Sequence, residues 1–262
     1  MSAKTRSPKS DGAGDRILAQ PGNVDAYEVR LAAGEADLRA AQRLRYEVFN
    51  LELHEGLASA HATGLDMDEF DPVCDHLIVT ELATGLLVGT YRLQTGASAA
   101  RHLGYYSERE FDLAPFEPVR DEMIELGRAC VHKAHRNMAV LSQLWRSIAS
   151  YAQERSCNRF IGCSSLTSQD PAVGAAVYRD FEKHHLAEPR FLTLPRPDVA
   201  CPLGVVAKTA PKPPKLLAAY LSLGAKICGP PAIDREFGTI DFLTLMDLRS
   251  ASVRTRELLG FA

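Results

Sequence analysis

Two side chains of opposite charge lie in a mostly apolar segment, residues 122–132. Glu125 and Arg128 are three residues apart, and Gly127 stands between them. An ionised group inside a sheet must be paired or take part in chemistry, because its removal from water is costly. Residues three apart in a regular strand point to opposite faces, but a bulge at Gly127 would return both to one face. The segment predicts a buried ion pair suited to proton transfer, with a purely structural salt bridge as the alternative.

A basic turn follows this segment and leads into an amphipathic helix that begins near Asn137. His135 and Arg136 stand next to the start of that helix. A helix N-terminus attracts anions through its unpaired N–H groups and its dipole, and adjacent cations add to the attraction. The turn therefore predicts a site for a phosphate group beside the charged strand.

A loop without helical or strand periodicity carries five carboxylates within ten residues, namely Asp66, Asp68, Glu69, Asp71 and Asp75. The spacing does not suit calcium, since Phe70 occupies a ligand position and Asp71 occupies the position that requires glycine. Two interpretations remain open for this acidic loop. It is either a solvated loop or a site for a cationic amine.

Two further arginines occur where a partner is needed. Arg45 and Phe49 are four residues apart, so they share one face of a predicted helix. Arg92 lies among apolar residues of a predicted strand. Because a guanidinium group binds a carboxylate through two parallel hydrogen bonds, both arginines favour an anionic partner. Each is equally compatible with an ordinary surface or strand-end position.

These residues need a scaffold, which hydrophobic periodicity predicts. Strands are expected at 27–31, 76–82, 86–95, 122–132, 159–165, 189–194 and 239–248, and helices at 35–53, 137–154, 172–185 and 215–227. Hairpin strands come first and then alternate with helices, which indicates a mixed sheet in an α/β or α+β domain. We expect a disordered leader over 1–26, one domain over 27–250 and a C-terminal tail over 251–262.

Composition narrows the classes of function. The chain has 262 residues, 46% of them hydrophobic, and a formal net charge of −3. This charge argues against nucleic-acid binding, and no run approaches the roughly 18 apolar residues of a membrane span. There is no P-loop, no glycine-rich dinucleotide motif and no G-x-S-x-G elbow. The six cysteines form no C-x-x-C pair, so we expect free thiols in a reducing cytoplasm and no metal site.

Nine stretches together resemble the GNAT-type acyltransferases and, among them, the lyso-ornithine lipid synthases. They lie at residues 44–49, 66–77, 89–93, 108–113, 125–132, 144–145, 162–166, 220–234 and 237–242. The Arg-x-x-x-Phe, acidic-loop and Glu-x-x-Arg elements are also similar to acyl-homoserine lactone synthases. The resemblance covers about residues 27–248. It implies the GNAT acyltransferase fold, a mixed central sheet with helices on both faces.

The resemblance also implies an activity, the transfer of a 3-hydroxyacyl chain to the α-amino group of ornithine in the first step of ornithine lipid biosynthesis. Glu125 would relay the proton of the amine or orient that relay. Arg128 and Arg92 would hold the substrate carboxylate or orient Glu125. The implied substrate-binding residues are Arg45, Phe49, Asp68, Asp71 and Arg92. Among these, the two aspartates would face the cationic side chain of the substrate.

The implied acyl donor is acyl carrier protein, with no further cofactor. Most GNAT proteins hold the pyrophosphate of coenzyme A in a glycine-rich turn, whereas the turn at 135–140 has no glycine. This departure favours the carrier protein, whose phosphopantetheine arm lacks the diphosphate–adenosine part, without excluding acyl-CoA. His132, Lys133, His135 and Arg136 would contact the phosphopantetheine and the acidic carrier protein.

Several alternatives stay open. The predicted helix at 215–227 carries leucines flanked by lysines, which suits either an ordinary packed helix or peripheral contact with the inner membrane. A synthase of the same fold could acylate another amino acid or make an acyl-homoserine lactone. A non-catalytic module that binds acyl carrier protein is the alternative from another class.

Overall fold

Eight strands form one mixed sheet in the part of the chain that the computed structural model describes, residues 23–261. They are β1 (Tyr27–Leu31), β2 (Asp75–Glu81), β3 (Leu87–Thr95), β4 (Met123–Val131), β5 (Arg159–Leu166), β6 (Lys226–Ile227), β7 (Ala232–Asp234) and β8 (Thr239–Asp247). The order across the sheet is β1-β2-β3-β4-β5-β8-β6, and β7 also pairs with β8. Among these strands β4 and β5 are the one parallel pair.

Helices cover both faces of the sheet. They are α1 (Glu35–Tyr46), α2 (Ala60–Thr63), α3 (Gly96–Arg101), α4 (Met138–Glu154), α5 (Pro171–His184), α6 (Lys215–Ser222) and α7 (Val253–Leu259). α4 packs on one face through residues four apart, such as Val140 and Leu144. Neighbouring β4 residues divide between the two cores, because Ile124 joins the core under α4 and Met123 joins the opposite core with α3.

A bulge interrupts β4 inside the charged segment. Gly127 lies opposite Arg92 and Cys130 lies opposite Thr90, so two β4 residues face one β3 residue between these pairs. Arg128 has a φ of 51°, in the left-handed region. The predicted bulge is present, but Arg128 and not Gly127 is the residue that adopts the left-handed conformation.

β4 and β5 separate after a short parallel ladder. The ladder ends at Glu125 and Ile161. A Cβ atom on Gly162 would lie 2.2 Å from the carbonyl oxygen of Leu126, so the two strands are still in contact there. Further along, β4 continues its pairing with β3, and β5 with β8. The separation leaves a gap in the sheet beside Glu125.

Three segments differ from the sequence prediction. The helix expected at 35–53 is α-helical to Tyr46 and continues as a π-helical turn, Glu47–Glu52. The helix expected at 215–227 ends at Ser222, because Gly224 turns the chain with a φ of 102° and the next residues enter the sheet. The strand expected at 189–194 is wrong. Pro189–Phe191 is a 3₁₀ helix, which suits a proline that has no N–H for a strand ladder.

The structure describes little of the predicted leader but nearly all of the predicted C-terminal tail. Residues 1–22 of the predicted leader lie outside the described part of the chain, and Val24–Ala26 forms a short 3₁₀ helix. The segment predicted as a C-terminal tail contains α7, whose Leu259 is buried in the core under α4. No helix within residues 23–261 combines the length and apolar character needed to cross a membrane.

Candidate active site

A cavity of about 370 Å³ reaches both faces of the sheet through the gap between β4 and β5. Phe160 and Ile161 are neighbours in β5 and point to opposite faces, yet both line it. Leu126, Gly127 and Gly162 line the gap itself. The volume is typical of sites for small molecules and cofactors. We call its half on the α4 face the apolar chamber and its half on the opposite face the polar chamber.

The apolar chamber is enclosed by helices α4, α6 and α7 over the sheet. It contains few polar atoms. The hydroxyl groups of Tyr91 and Tyr220 hydrogen-bond to each other, and the indole N–H of Trp145 is buried without a hydrogen-bond partner. Its surface suits an alkyl chain, because burial of apolar groups is favourable. The residues that form it include Tyr91, Trp145, Phe160, Leu217, Tyr220 and Leu259.

The polar chamber contains residues that the sequence reasoning did not single out. Gln94 stands opposite Glu125 in the β3–β4 ladder, and both polar atoms of its side-chain amide are buried without a hydrogen-bond partner. A buried unpaired amide is costly, so a ligand that pairs with it gains affinity. The polar residues that line this chamber include Gln94, Ser107, Glu125, Cys163, Asp234 and Asp241.

Glu125 is fixed at the gap by the turn that contains Tyr106 and Ser107. Its Oε2 accepts a hydrogen bond from the Tyr106 N–H at 2.7 Å. Its Oε1 accepts from the Ser107 N–H at 2.8 Å and from the Ser107 hydroxyl at 2.6 Å. Burial raises the pKa of Glu125, and the hydrogen bonds from Ser107 and Tyr106 oppose that rise. The carboxylate is therefore held in one position and has a higher affinity for a proton than a solvated one.

Arg128 is not paired with Glu125, so the predicted ion pair is wrong. The Arg128 Nη2 lies 2.9 Å from Asp68 Oδ2, and its Nε lies 3.7 Å from Asp66 Oδ1. The guanidinium carbon also lies 4.1 Å from the centroid of the Phe237 ring. The bulge turns this side chain towards the acidic loop instead of along β4. Glu125 and Arg128 nevertheless line the same cavity.

The aspartates of the acidic loop bind buried arginines. Arg45 Nε lies 2.8 Å from Asp66 Oδ1, and Arg45 Nη2 lies 2.5 Å from Asp71 Oδ2. Arg92 Nη1 lies 2.6 Å from Asp68 and 3.1 Å from Asp71. Burial alone would raise the pKa of Asp68 and of Asp71, but the arginines hold both below the usual value. The arginines already compensate the charge of these two aspartates. Their predicted contact with a substrate cation stays a prediction.

Arg45 and Phe49 have separate positions although they are four residues apart. Phe49 lines the cavity and meets the Phe237 ring with centroids 6.0 Å apart. Arg45 is only 1% exposed and does not line the cavity. It holds the acidic loop against α1. Arg92 does line the cavity, where a substrate carboxylate could reach it. Its predicted contact with that carboxylate stays a prediction.

The basic turn lies at the start of α4 and is partly engaged by the protein itself. Arg136 forms two hydrogen bonds to Glu52, at 2.5 and 2.7 Å. His135 Nδ1 lies 3.1 Å from a tyrosine hydroxyl of β1. His132 and Lys133 border a second cavity, of about 260 Å³. The structure brings these four residues together, and their contact with an acyl donor stays a prediction.

Three residues absent from the sequence prediction meet beside the polar chamber. The carboxylate and thiol atoms of Glu110, Cys163 and Asp241 all lie within 4.8 Å of one another. Burial, and then the charge of Asp234, raise the pKa of Asp241 to about 7. Burial and Asp241 raise the pKa of Glu110 well above its usual value. Asp241 shares the signal that identified Glu125, a carboxylate inside an apolar strand.

The fold matches that of a known group of proteins. Residues 44–146 match the family model of the acetyltransferase (GNAT) domain. BjaI, a CoA-dependent acyl-homoserine lactone synthase solved with SAM and isopentyl-CoA, has a similar fold, with a TM-score of 0.51, 12% identity and coverage of 89% of this chain and 88% of that one. FeeM, an N-acyl amino acid synthase from uncultured soil microbes, has a TM-score of 0.51 and 11% identity, with coverage of 86% of this chain and 91% of that one. The chain therefore has the GNAT acyltransferase fold.

Relatives in sequence specify the family. An L-ornithine N(alpha)-acyltransferase of Rhodobacter capsulatus is 34% identical, over 88% of this chain and 94% of the relative. A protein of the same description from Brucella abortus is 31% identical, over 92% of this chain and 90% of the relative. The chain belongs to the family of L-ornithine N(alpha)-acyltransferases. This membership removes the alternative of a non-catalytic carrier-binding module.

Proposed function

We propose that this enzyme transfers a 3-hydroxyacyl chain from acyl carrier protein to the α-amino group of ornithine. The product would be lyso-ornithine lipid, in the first step of ornithine lipid biosynthesis. The descriptions of the sequence relatives support ornithine as the acceptor. The observation that carries the proposal is the cavity, in which an apolar and a polar chamber meet at the β4–β5 gap beside Glu125.

In the proposed reaction the two substrates meet at this gap. The amine nitrogen forms a bond to the thioester carbonyl carbon, the C–S bond breaks, and the phosphopantetheine sulfur leaves and takes up a proton as the thiol. An ammonium group cannot attack, so Glu125 accepts the other proton, directly or through a water molecule. Its raised pKa supports this role, because it brings the carboxylate closer to the basicity that the step requires.

Two further groups that line the cavity can donate hydrogen bonds to the substrates. Arg128 lines it with a guanidinium group, which is suited to bind the α-carboxylate of the acceptor. Arg92, which already donates to two aspartates, keeps this acidic loop in place. The amide of Gln94 stands opposite Glu125 and offers a hydrogen bond to the carbonyl oxygen on which negative charge develops.

The gap and the basic turn support a donor with a phosphopantetheine arm. Where β4 and β5 separate, the backbone groups that face each other lose their ladder partners. The amides of phosphopantetheine can satisfy such groups as an added strand does. Lys133 then presents positive charge, and the neighbouring His132 a hydrogen-bonding ring, to an acidic carrier protein. The glycine-free turn at 135–140 favours this donor over coenzyme A.

The polar atoms of the apolar chamber support a hydroxylated acyl chain. A purely apolar ligand would leave the Trp145 N–H buried and unpaired. A hydroxyl group on the chain could accept that hydrogen bond or join the Tyr91–Tyr220 pair. Peripheral contact with the membrane also stays a proposal. α6 supplies Leu216, Leu217 and other walls of this chamber, so a lipid product would leave beside it.

The proposal is tested by a donor and acceptor panel. The purified full chain is mixed with ornithine or another amino acid as the acceptor. Three donors are compared: a long-chain 3-hydroxyacyl group on carrier protein, the same group on coenzyme A, and the acyl chain without its hydroxyl group on carrier protein. Mass spectrometry identifies the products. We expect ornithine and 3-hydroxyacyl carrier protein to give the highest kcat/KM. Loss of the general base in Glu125→Gln should lower kcat by about 100-fold or more.

The controls separate chemistry from folding. Glu69→Gln removes a carboxylate that is exposed and outside the cavity, and it should keep the wild-type kcat. Circular dichroism of Glu125→Gln shows whether that variant is folded. Failure to acylate any amino acid with any donor would refute the proposal. Preferential acylation of another amino acid would favour the alternative synthase of the same fold.

A further inference from the structure

The two ends of the polar chamber differ in charge compensation. The aspartates of the acidic loop are matched by arginines, as described above. By contrast, five carboxylates in or beside the chamber have no ion-pair partner among residues 23–261. These are Glu55, Glu110, Glu125, Asp234 and Asp241. A cluster of carboxylates with this composition attracts a cation.

Glu110 and Asp241 show the deficit most clearly. Glu110 is 5% exposed and Asp241 is 4% exposed. Both oxygens of Glu110 and the Oδ1 of Asp241 are buried without a well-formed hydrogen bond. The nearest donors are the Cys163 thiol for Glu110 and the Ser165 and Thr239 hydroxyl groups for Asp241. Asp241 lines the cavity, and Glu110 lies behind it with its carboxylate within 4.8 Å. Buried polar atoms without partners are rare and costly, which indicates that a ligand completes them.

Two side chains, Ser107 and Cys163, connect this pair of carboxylates to the proposed general base. The Ser107 hydroxyl donates to Glu125 at 2.6 Å and lies 3.5 Å from the Cys163 thiol. Cys163 is in turn within 4.8 Å of Glu110 and Asp241. A ligand with two amines on a short carbon chain can therefore place one amine at Glu125 and the other at Asp241.

We propose that Asp241, with Glu110 behind it, binds the side-chain ammonium of a diamino acid acceptor and so makes the enzyme select diamino acids over neutral ones. This inference rests on the proposed function, in which ornithine is the acceptor. It gives the recognition of the acceptor cation to Asp241 of β8 and Glu110 of the segment between α3 and β4, and not to Asp68 and Asp71 of the acidic loop.

A metal ion is the competing occupant, since one thiol and two carboxylates can serve as ligands. A metal would have to displace the proton of the Cys163 thiol, whose pKa is raised well above its usual value by burial and the nearby Glu110. An ammonium group needs no deprotonated thiol, only hydrogen-bond acceptors with negative charge.

The test compares ornithine with L-norvaline, which has the same carbon skeleton without the δ-amine. The full chain is supplied with 3-hydroxyacyl carrier protein, and kcat/KM is measured for both acceptors. We expect wild type to prefer ornithine by about 100-fold or more, because a buried carboxylate left without its cation is costly. Asp241→Asn and Glu110→Gln should each reduce the ornithine-to-norvaline ratio at least tenfold, mainly through KM for ornithine. The exposed Asp198→Asn is the matched control and should keep the ratio.

Each contrary outcome has a separate meaning. Turnover of ornithine with an equal kcat/KM for norvaline overturns this inference and leaves the proposed function standing. If Asp241→Asn and Glu110→Gln both fold and keep the wild-type ornithine-to-norvaline ratio, the inference is likewise overturned and the proposed function stands. If activity is lost on dialysis against EDTA and returns with Zn²⁺, the cluster is a metal site and the inference is wrong. If wild type acylates neither compound, the proposed function fails first. The wild-type comparison needs no variant, so misfolding of a variant cannot hide the answer.

Discussion

At the scale of single residues, acceptor binding depends on the proton occupancy of Asp241. The groups that face it are Glu110 before β4, Cys163 of β5, Asp234 of β7 and Glu55 after α1, and all of them are acidic. Burial, and then the charges of Asp234 and Glu55, raise the pKa of Asp241 to about 7, against hydrogen bonds from Ser165 and Thr239 that lower it. Its carboxyl group is therefore largely protonated below that pH and ionised above it. Only the ionised form attracts an ammonium group strongly.

The expected result is a pH-dependent preference for ornithine. As the pH falls from 8 to 6, the ratio of KM for ornithine to KM for norvaline should rise by about tenfold, because protonation of Asp241 removes its attraction for the δ-ammonium. Protonation of the α-amine affects both acceptors and cancels in the ratio. Steady-state kinetics at several pH values measure it. A ratio that stays constant over this range would show that Asp241 does not bind the δ-ammonium.

Residue types in the sequence located one half of this site and missed the other. Glu125 is predicted because a charged group inside an apolar strand must be paired or take part in chemistry, and the structure places it at the cavity. Its predicted partner was wrong, because the direction of Arg128 depends on the geometry of the bulge and on the distant Asp68. Asp241 has the same sequence signal, but its convergence with Glu110 depends on the pairing of β5 with β8, which no local pattern reports.

At the scale of elements, the gap between β4 and β5 is the feature on which the site depends. The two strands approach so closely at Gly162 that no side chain fits against the Leu126 carbonyl. Gly127 is different, since nothing lies within 4 Å of a Cβ placed there and its φ is not in the left-handed region. Two glycines that line the same gap therefore have different structural requirements.

This difference gives a paired prediction. Gly162→Ala should lower the free energy of unfolding by about 2 kcal/mol, because the added methyl must push β4 and β5 apart. Gly127→Ala should change it by less than about 0.5 kcal/mol. Urea unfolding followed by circular dichroism measures both. Equal stability of the two variants would contradict the described contact between the strands.

The elements themselves were largely predictable, because their patterns are local. The strand that became β4 and the helix that became α4 have strong hydrophobic periodicity, and Asn137 caps that helix by accepting a hydrogen bond from the Val140 N–H at 3.1 Å. The separation of β4 from β5 was not predictable in this way. It arises from the tertiary pairing of each strand with its other neighbour.

At the scale of the whole molecule, the sheet separates two chemical environments and connects them through one opening. The helices α4, α6 and α7 enclose an apolar space on one face, and carboxylates gather on the other. In the proposed reaction the acyl chain occupies the first space and the amino acid the second, so the thioester and the amine meet beside Glu125. This arrangement also fixes which amine of ornithine reacts, because the second amine is held at Asp241.

The position of the new amide bond tests this account most directly. The full chain is incubated with 3-hydroxyacyl carrier protein and ornithine labelled with ¹⁵N at the α-nitrogen, and the product is fragmented in a mass spectrometer. The account predicts that the amide nitrogen carries the label and that the δ-nitrogen remains a free amine. Acylation of the unlabelled δ-nitrogen, or the absence of any acylated ornithine, would contradict it.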